Sequence, residues 1–98
     1  MIFAEMQYEE DYSAMHFELV EYLQSNFPSI QHGLQGDSWI WLFDGDEKVA
    51  IDSFSSMKHQ IKSETPGSEL VERVIATLSE RYKLARYDAP ELEPHEDI

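Results

Sequence analysis

The chain has 98 residues, 42% of them hydrophobic and twelve of them aromatic, which suffices for one domain built around one core. It has no cysteine, so disulfide frameworks, thiolate metal sites and cysteine nucleophiles are excluded. Its net charge of −13 opposes contact with nucleic-acid phosphates and anionic membranes, and favours encounter with a basic protein surface.

The first residues, MIFAEMQYEEDY, are acidic within five positions and lack the basic start and apolar run of a signal peptide. No stretch approaches the ~20 apolar residues that cross a bilayer. The expectation is a soluble, cytoplasmic protein. Residues 1–8 are ambiguous between a short strand and an arm lying on the core. Residues 9–26 read as a helix, because Tyr12, Met15, Leu19 and Leu23 fall on one face of a 3.6-residue repeat. His16, Val20 and Phe27 extend that stripe. Asp11 or Ser13 can cap the start, and Asn26 and Pro28 mark the end.

Residues 29–35 make a first strand, weakened by Gly33, and residues 38–43 (SWIWLF) a firmer one. In the latter, Trp39, Trp41 and Phe43 point to one side and Ile40 and Leu42 to the other. Asp44-Gly45-Asp46-Glu47 is turn chemistry for a hairpin, leading into a strand over 48–54. Residues 55–63 alternate as well and predict a fourth strand, at a sheet edge where its lysines discourage stray pairing.

Thr65-Pro66-Gly67-Ser68 opens a second helix over 68–83, with Val71, Val74, Ile75, Leu78 and Tyr82 on one stripe. Glu69 and Arg73 are placed for an i,i+4 ion pair, and Arg81 and Lys83 for the C-terminal end of the helix dipole. Residues 85–98 carry two prolines and five acids and predict a disordered tail after a domain of residues 1–84. The resulting fold is α+β. It is a two-layer sandwich in the order α-β-β-β-β-α, with a three- to four-stranded antiparallel sheet and two helices on one face. Leu19, Leu23, Ile40, Leu42, Val49, Ile51, Val74, Ile75 and Leu78 form its core.

Candidate chemistry is sparse. The turn Asp44-Gly45-Asp46-Glu47, with Asp52 beyond it, is the best-looking cation cluster, yet hairpin geometry already explains those residues. The histidines His16, His32, His59 and His95 lack metal-site spacing and read as surface or half-buried groups. Ser53, Ser55 and Ser56 stand in no nucleophile elbow, and no glycine-rich phosphate loop is present. No cofactor and no metal is expected.

The residues that carry the functional reading are Trp39, Trp41 and Phe43. With helices over the Ile40/Leu42 face, these three aromatics are left on the open face of the sheet. Aromatics there point to a protein–protein surface, with Glu18 and Glu21 as its electrostatic rim. The expected function is a non-enzymatic interaction module whose partner is a basic protein or a second copy of the chain, with no nucleic acid and no membrane. One alternative is a small enzyme or ligand binder with a cleft near His32, Asp52 and His59. Another is an acidic mimic that occupies a nucleic-acid-binding protein.

Overall fold

The computed structural model describes residues 1–92. In chain order its elements are β1 (Ile2–Gln7), α1 (Tyr12–Gln24), β2 (Ile30–Gln35), β3 (Asp37–Asp44), β4 (Glu47–Asp52), β5 (Gln60–Lys62), α2 (Glu69–Ser79) and β6 (Lys83–Glu91). The strands form one antiparallel sheet of six, ordered β2-β3-β4-β5-β1-β6. The α+β class is therefore as the sequence predicts, but the sheet has six strands where three to four are expected.

Local chemistry sets the element ends. The Asp11 carboxylate accepts the Ser13 backbone N–H and caps α1, and the Ser68 hydroxyl accepts the Val71 N–H and caps α2. Gly36 and Gly45 hold left-handed φ values of 82° and 60° in the β2–β3 and β3–β4 turns, a region costly for residues with a Cβ. Three successive hairpin-like steps then lay β2, β3, β4 and β5 side by side.

The additional strands come from both termini. Residues 1–8 are no loose arm: β1 lies between β5 and β6, with Ala4 opposite both Ile61 and Arg86. Its burial explains the choice, since Ile2, Phe3, Ala4 and Met6 are all inside. The sheet also continues past residue 84. β6 pairs along β1 although its residues 85–91 fall where the sequence predicts a tail, and Pro90 is compatible because β6 is an edge strand. The remaining residues of that expected tail, 93–98, lie outside the described residues, and His95 with them. α2 ends at Ser79, four residues early, so Lys83 starts β6 and does not stand at the helix end.

The expected fourth strand over 55–63 is also corrected. Only Gln60–Lys62 is extended, and β5 is interior, paired with β4 on one side and β1 on the other. All three of its residues are buried, so Lys62 does not guard an edge.

Both helices pack on the face that carries Ile40, Leu42, Val49, Ile51 and Ile61, and all nine residues expected in the core are buried there. Met6, Phe27 and Leu70 join them. Among the described residues, no helix covers the opposite face. Cross-strand register puts Gly33, Trp39, Asp52, Gln60 and Glu5 in one row across it, and Gln31, Trp41, Ala50 and Lys62 in the next. Among the described residues, no helix is long and apolar enough to cross a membrane.

Candidate functional site

Two polar assemblies stand on opposite sides of the sheet. The first lies beneath α1, with His16, Ser38 and His59 buried, Tyr8 half-buried and His32 exposed at its end. Strand alternation aims Ser38 of β3 and His32 of β2 toward that helix, and His59 follows because it shares its side with Ile61. The Ser38 hydroxyl lies between two imidazoles, 2.6 Å from His16 Nδ1 and 2.7 Å from His59 Nε2. His16 Nε2 stands 3.3 Å from His32 Nδ1, and Tyr8 Oη lies 2.7 Å from His59 Nδ1. The Tyr8 oxygen also accepts the His59 backbone N–H, and Ser53 Oγ accepts the Ser38 N–H.

These contacts form an unbroken chain, Tyr8–His59–Ser38–His16–His32. Each member can donate once and accept at least once, so the chain is satisfied in either direction. In one, Tyr8 O–H donates to His59, His59 Nε2–H to Ser38, Ser38 O–H to His16, and His16 Nε2–H to His32. In the other, every proton is reversed. Burial holds the His59 imidazolium pKa down to about 4, and the nearby His16 adds to the effect. His16 is lowered too, first by burial and then by His32. Both rings are therefore neutral at pH 7. Burial pushes the Tyr8 phenol up to about 12, so it keeps its proton.

A serine between two imidazoles has the makings of a nucleophile and its base. Ser38 is 0% exposed, however, and His59 also 0%, so no substrate reaches the hydroxyl in this conformation. The arrangement supports proton movement along the chain and ties β1, α1, β2, β3 and β5 together. His16 and His59 are thus core groups and not the surface or half-buried histidines that the sequence predicts.

The second assembly is a hollow of about 410 Å³ on the open face. Its lining includes Trp41, Asp46, Lys48, Ala50 and Glu64. Also in the lining, Lys62 Nζ meets Asp52 Oδ1 at 2.5 Å, with both side chains under 10% exposed, at 8% and 6%. The segment after β4 runs beside this ion pair: Ser55 Oγ accepts from Lys62 Nζ at 3.4 Å, and the largely exposed Phe54 ring lies 5.8 Å from that nitrogen.

The aromatic residues expected on this face are there, and they are half-buried. Trp39 lies flat against Gly33, where a Cβ would come within 2.5 Å of the indole Cζ2. That close approach explains a glycine in the middle of β2. Trp39 and Trp41 lie 4.6 Å apart, and Lys48 Nζ sits 3.8 Å above the Trp41 ring. Phe43 is opposite Lys48 in the β3–β4 pair.

Glu18 and Glu21 are elsewhere. Both belong to α1 on the covered side of the sheet, and Glu18 accepts the Tyr82 hydroxyl at 2.9 Å. They do not rim the aromatic row; the carboxylates beside Trp41 are Asp46, Asp52 and Glu64. Asp52 is separated by the sheet from His32 and His59, so the three share no cleft. The Asp44–Glu47 turn is a hairpin, and Asp44 binds the Arg73 guanidinium of α2, a partner the sequence assigns to Glu69. Among the described residues, no three His, Asp or Glu side chains converge as a metal-binding group.

The hollow is not legible in the sequence because Lys62, Asp52 and Glu64 come from separate parts of the chain. The only local signal was Lys62 alternating with apolar Ile61. No family model, no curated protein and no solved structure matches this chain.

Proposed function

We propose that the protein is a non-enzymatic binding module whose open sheet face receives a basic segment of another protein. The observation that carries this reading is the hollow beside Trp41. It is lined by the aromatics Trp41 and Phe54 and by the carboxylates Asp46, Asp52 and Glu64, set against Lys48 and Lys62. A partner arginine or lysine entering it meets the Phe54 ring and a carboxylate, two features that hold such side chains, and competes with Lys48 for the Trp41 face. The net charge of −13 supports the same reading by steering a basic partner toward the chain.

A tetra-arginine peptide added to the isotopically labelled protein tests the reading by NMR. Shifts should concentrate on the Trp41 indole N–H, Phe54 and Glu64, weaken with salt, and diminish in Trp41→Ala and Asp46→Asn. Shifts centred on Glu18 and Glu21 would instead favour the acidic-mimic reading, since those residues lie on α1. No saturable shift anywhere would overturn both. A salt-washed pull-down with the full chain then names the partner.

A further inference from the structure

The sheet has two edges, and β2 is built unlike a protected one. Its six residues, Ile30–Gln35, hold no Lys, Arg, Asp, Glu or Pro, and they pair with β3 without a register shift. Edge strands normally carry a charge, a proline or a bulge that prevents further pairing. The outward groups can be assigned. Phe43 donates its backbone N–H to Ser29 O at 3.1 Å, which makes Ser29–Phe43 a hydrogen-bonded pair. Antiparallel pairs alternate, so Gln31, Gly33 and Gln35 turn their backbone groups toward β3. The N–H and C=O of Ile30, His32 and Leu34 therefore face outward.

We infer that β2 is a self-association edge, and that a second copy of this chain pairs with it antiparallel about a two-fold axis through His32. The strand's own sequence favours this occupant. An axis perpendicular to the sheet keeps each face aligned, so residue i must meet a residue of the same parity. Centred on His32, that rule sets Ile30 against the partner's Leu34 and Gln31 against the partner's Gly33. Apolar meets apolar on the helix side, and the small glycine meets the long amide on the other. All three outward residues then exchange backbone hydrogen bonds.

Charge points the same way. Two copies of a chain at −13 repel one another except where their meeting surfaces carry no acid, and β2 is such a strip. Phe17 adds a third observation. It lies on α1 next to His16, which reaches β2 through His32, and it is 64% exposed. Pairing of β2 with its copy places Phe17 beside the joined Ile30–Leu34 cluster, which accounts for an aromatic ring left in water. This surface is distinct from the hollow on the open face, and neither depends on the other.

The test is sedimentation equilibrium of the full chain from about 10 µM to about 1 mM, a range that captures the weak end of interface strength. The wild type should pass from monomer to dimer across it. Leu34→Lys should remain monomeric with an unchanged circular dichroism spectrum, and Phe17→Ser should weaken the dimer at least tenfold. Hydrogen exchange should slow at the Ile30, His32 and Leu34 amides as concentration rises, with no change in β6. A monomer at every concentration would overturn the inference. So would a dimer that survives Leu34→Lys with those three amides still unprotected.

Discussion

The two faces of the one sheet bury polar groups by different means. Under α1 the buried groups are neutral: two imidazoles, a hydroxyl and a phenol that satisfy one another in a chain. On the open face they are ionic, with Lys62 and Asp52 in contact under the segment that carries Phe54. A core beneath a helix has no water to screen a charge, so polar groups survive there as neutral donors and acceptors. On the open face Lys62 and Asp52 are under 10% exposed as well, and there each charge supplies the other's counter-charge. The lesson is that the partner at hand sets the kind of buried polar contact, and each kind has its own sensitivity to mutation and pH.

The largest effect that would sharpen the contrast is expected on the ionic side. Lys62→Met removes one partner from a buried pair and should cost about 3–5 kcal/mol, whereas Asp52→Leu combined with Lys62→Met should recover most of that loss. Urea denaturation of the three proteins measures it. A double variant as unstable as the single one would show that each charge is held chiefly by other partners.

On the neutral side the probe is acid. His59 has a folded pKa near 4, against about 6.5 when unfolded, so between those values the unfolded chain binds more protons. Stability from this group is complete above pH 6.5 and is lost as pH falls toward 4. The 2.5-unit difference corresponds to about 3 kcal/mol, and His16 shifts in the same direction. Histidine resonances followed by NMR from pH 7 to pH 4 should show His59 titrating only at the acid end. A midpoint near 6.5 would erase the difference between the two faces.

A smaller effect tests the aromatic row. Gly33→Ala forces a Cβ to within 2.5 Å of Trp39, so the indole must move. The cost should be about 1–3 kcal/mol, as for other overpacked sites, with a changed tryptophan fluorescence spectrum. An unaltered spectrum and a raised melting temperature would mean that Trp39 swings aside freely. Least of all should come from Arg73→Gln, which breaks the exposed contact with Asp44; that change should stay within about 1 kcal/mol and shrink with added salt.

Local interactions made part of this molecule legible in its sequence. The stripes of α1 and α2, the caps at Asp11 and Ser68, the Asp44–Glu47 hairpin and the alternation of β3 depend on neighbours a few residues apart. The nine core residues followed from that same periodicity, as did the placement of Trp39, Trp41 and Phe43 on the side away from Ile40 and Leu42. The rest depended on contacts distant in the chain. β1 is a strand because β5 and β6 flank it, and β1 is the one sheet neighbour of β6, so neither carries a decisive pattern of its own. Lys62 reads as an edge lysine until Asp52 and Phe54 close around it. His16 and His59 look like scattered surface residues because their partners, Ser38 and Tyr8, lie 21 to 51 positions away. Periodicity reports which side of an element is apolar. It does not report which polar side chains meet inside, since that requires the sheet order that only tertiary packing sets.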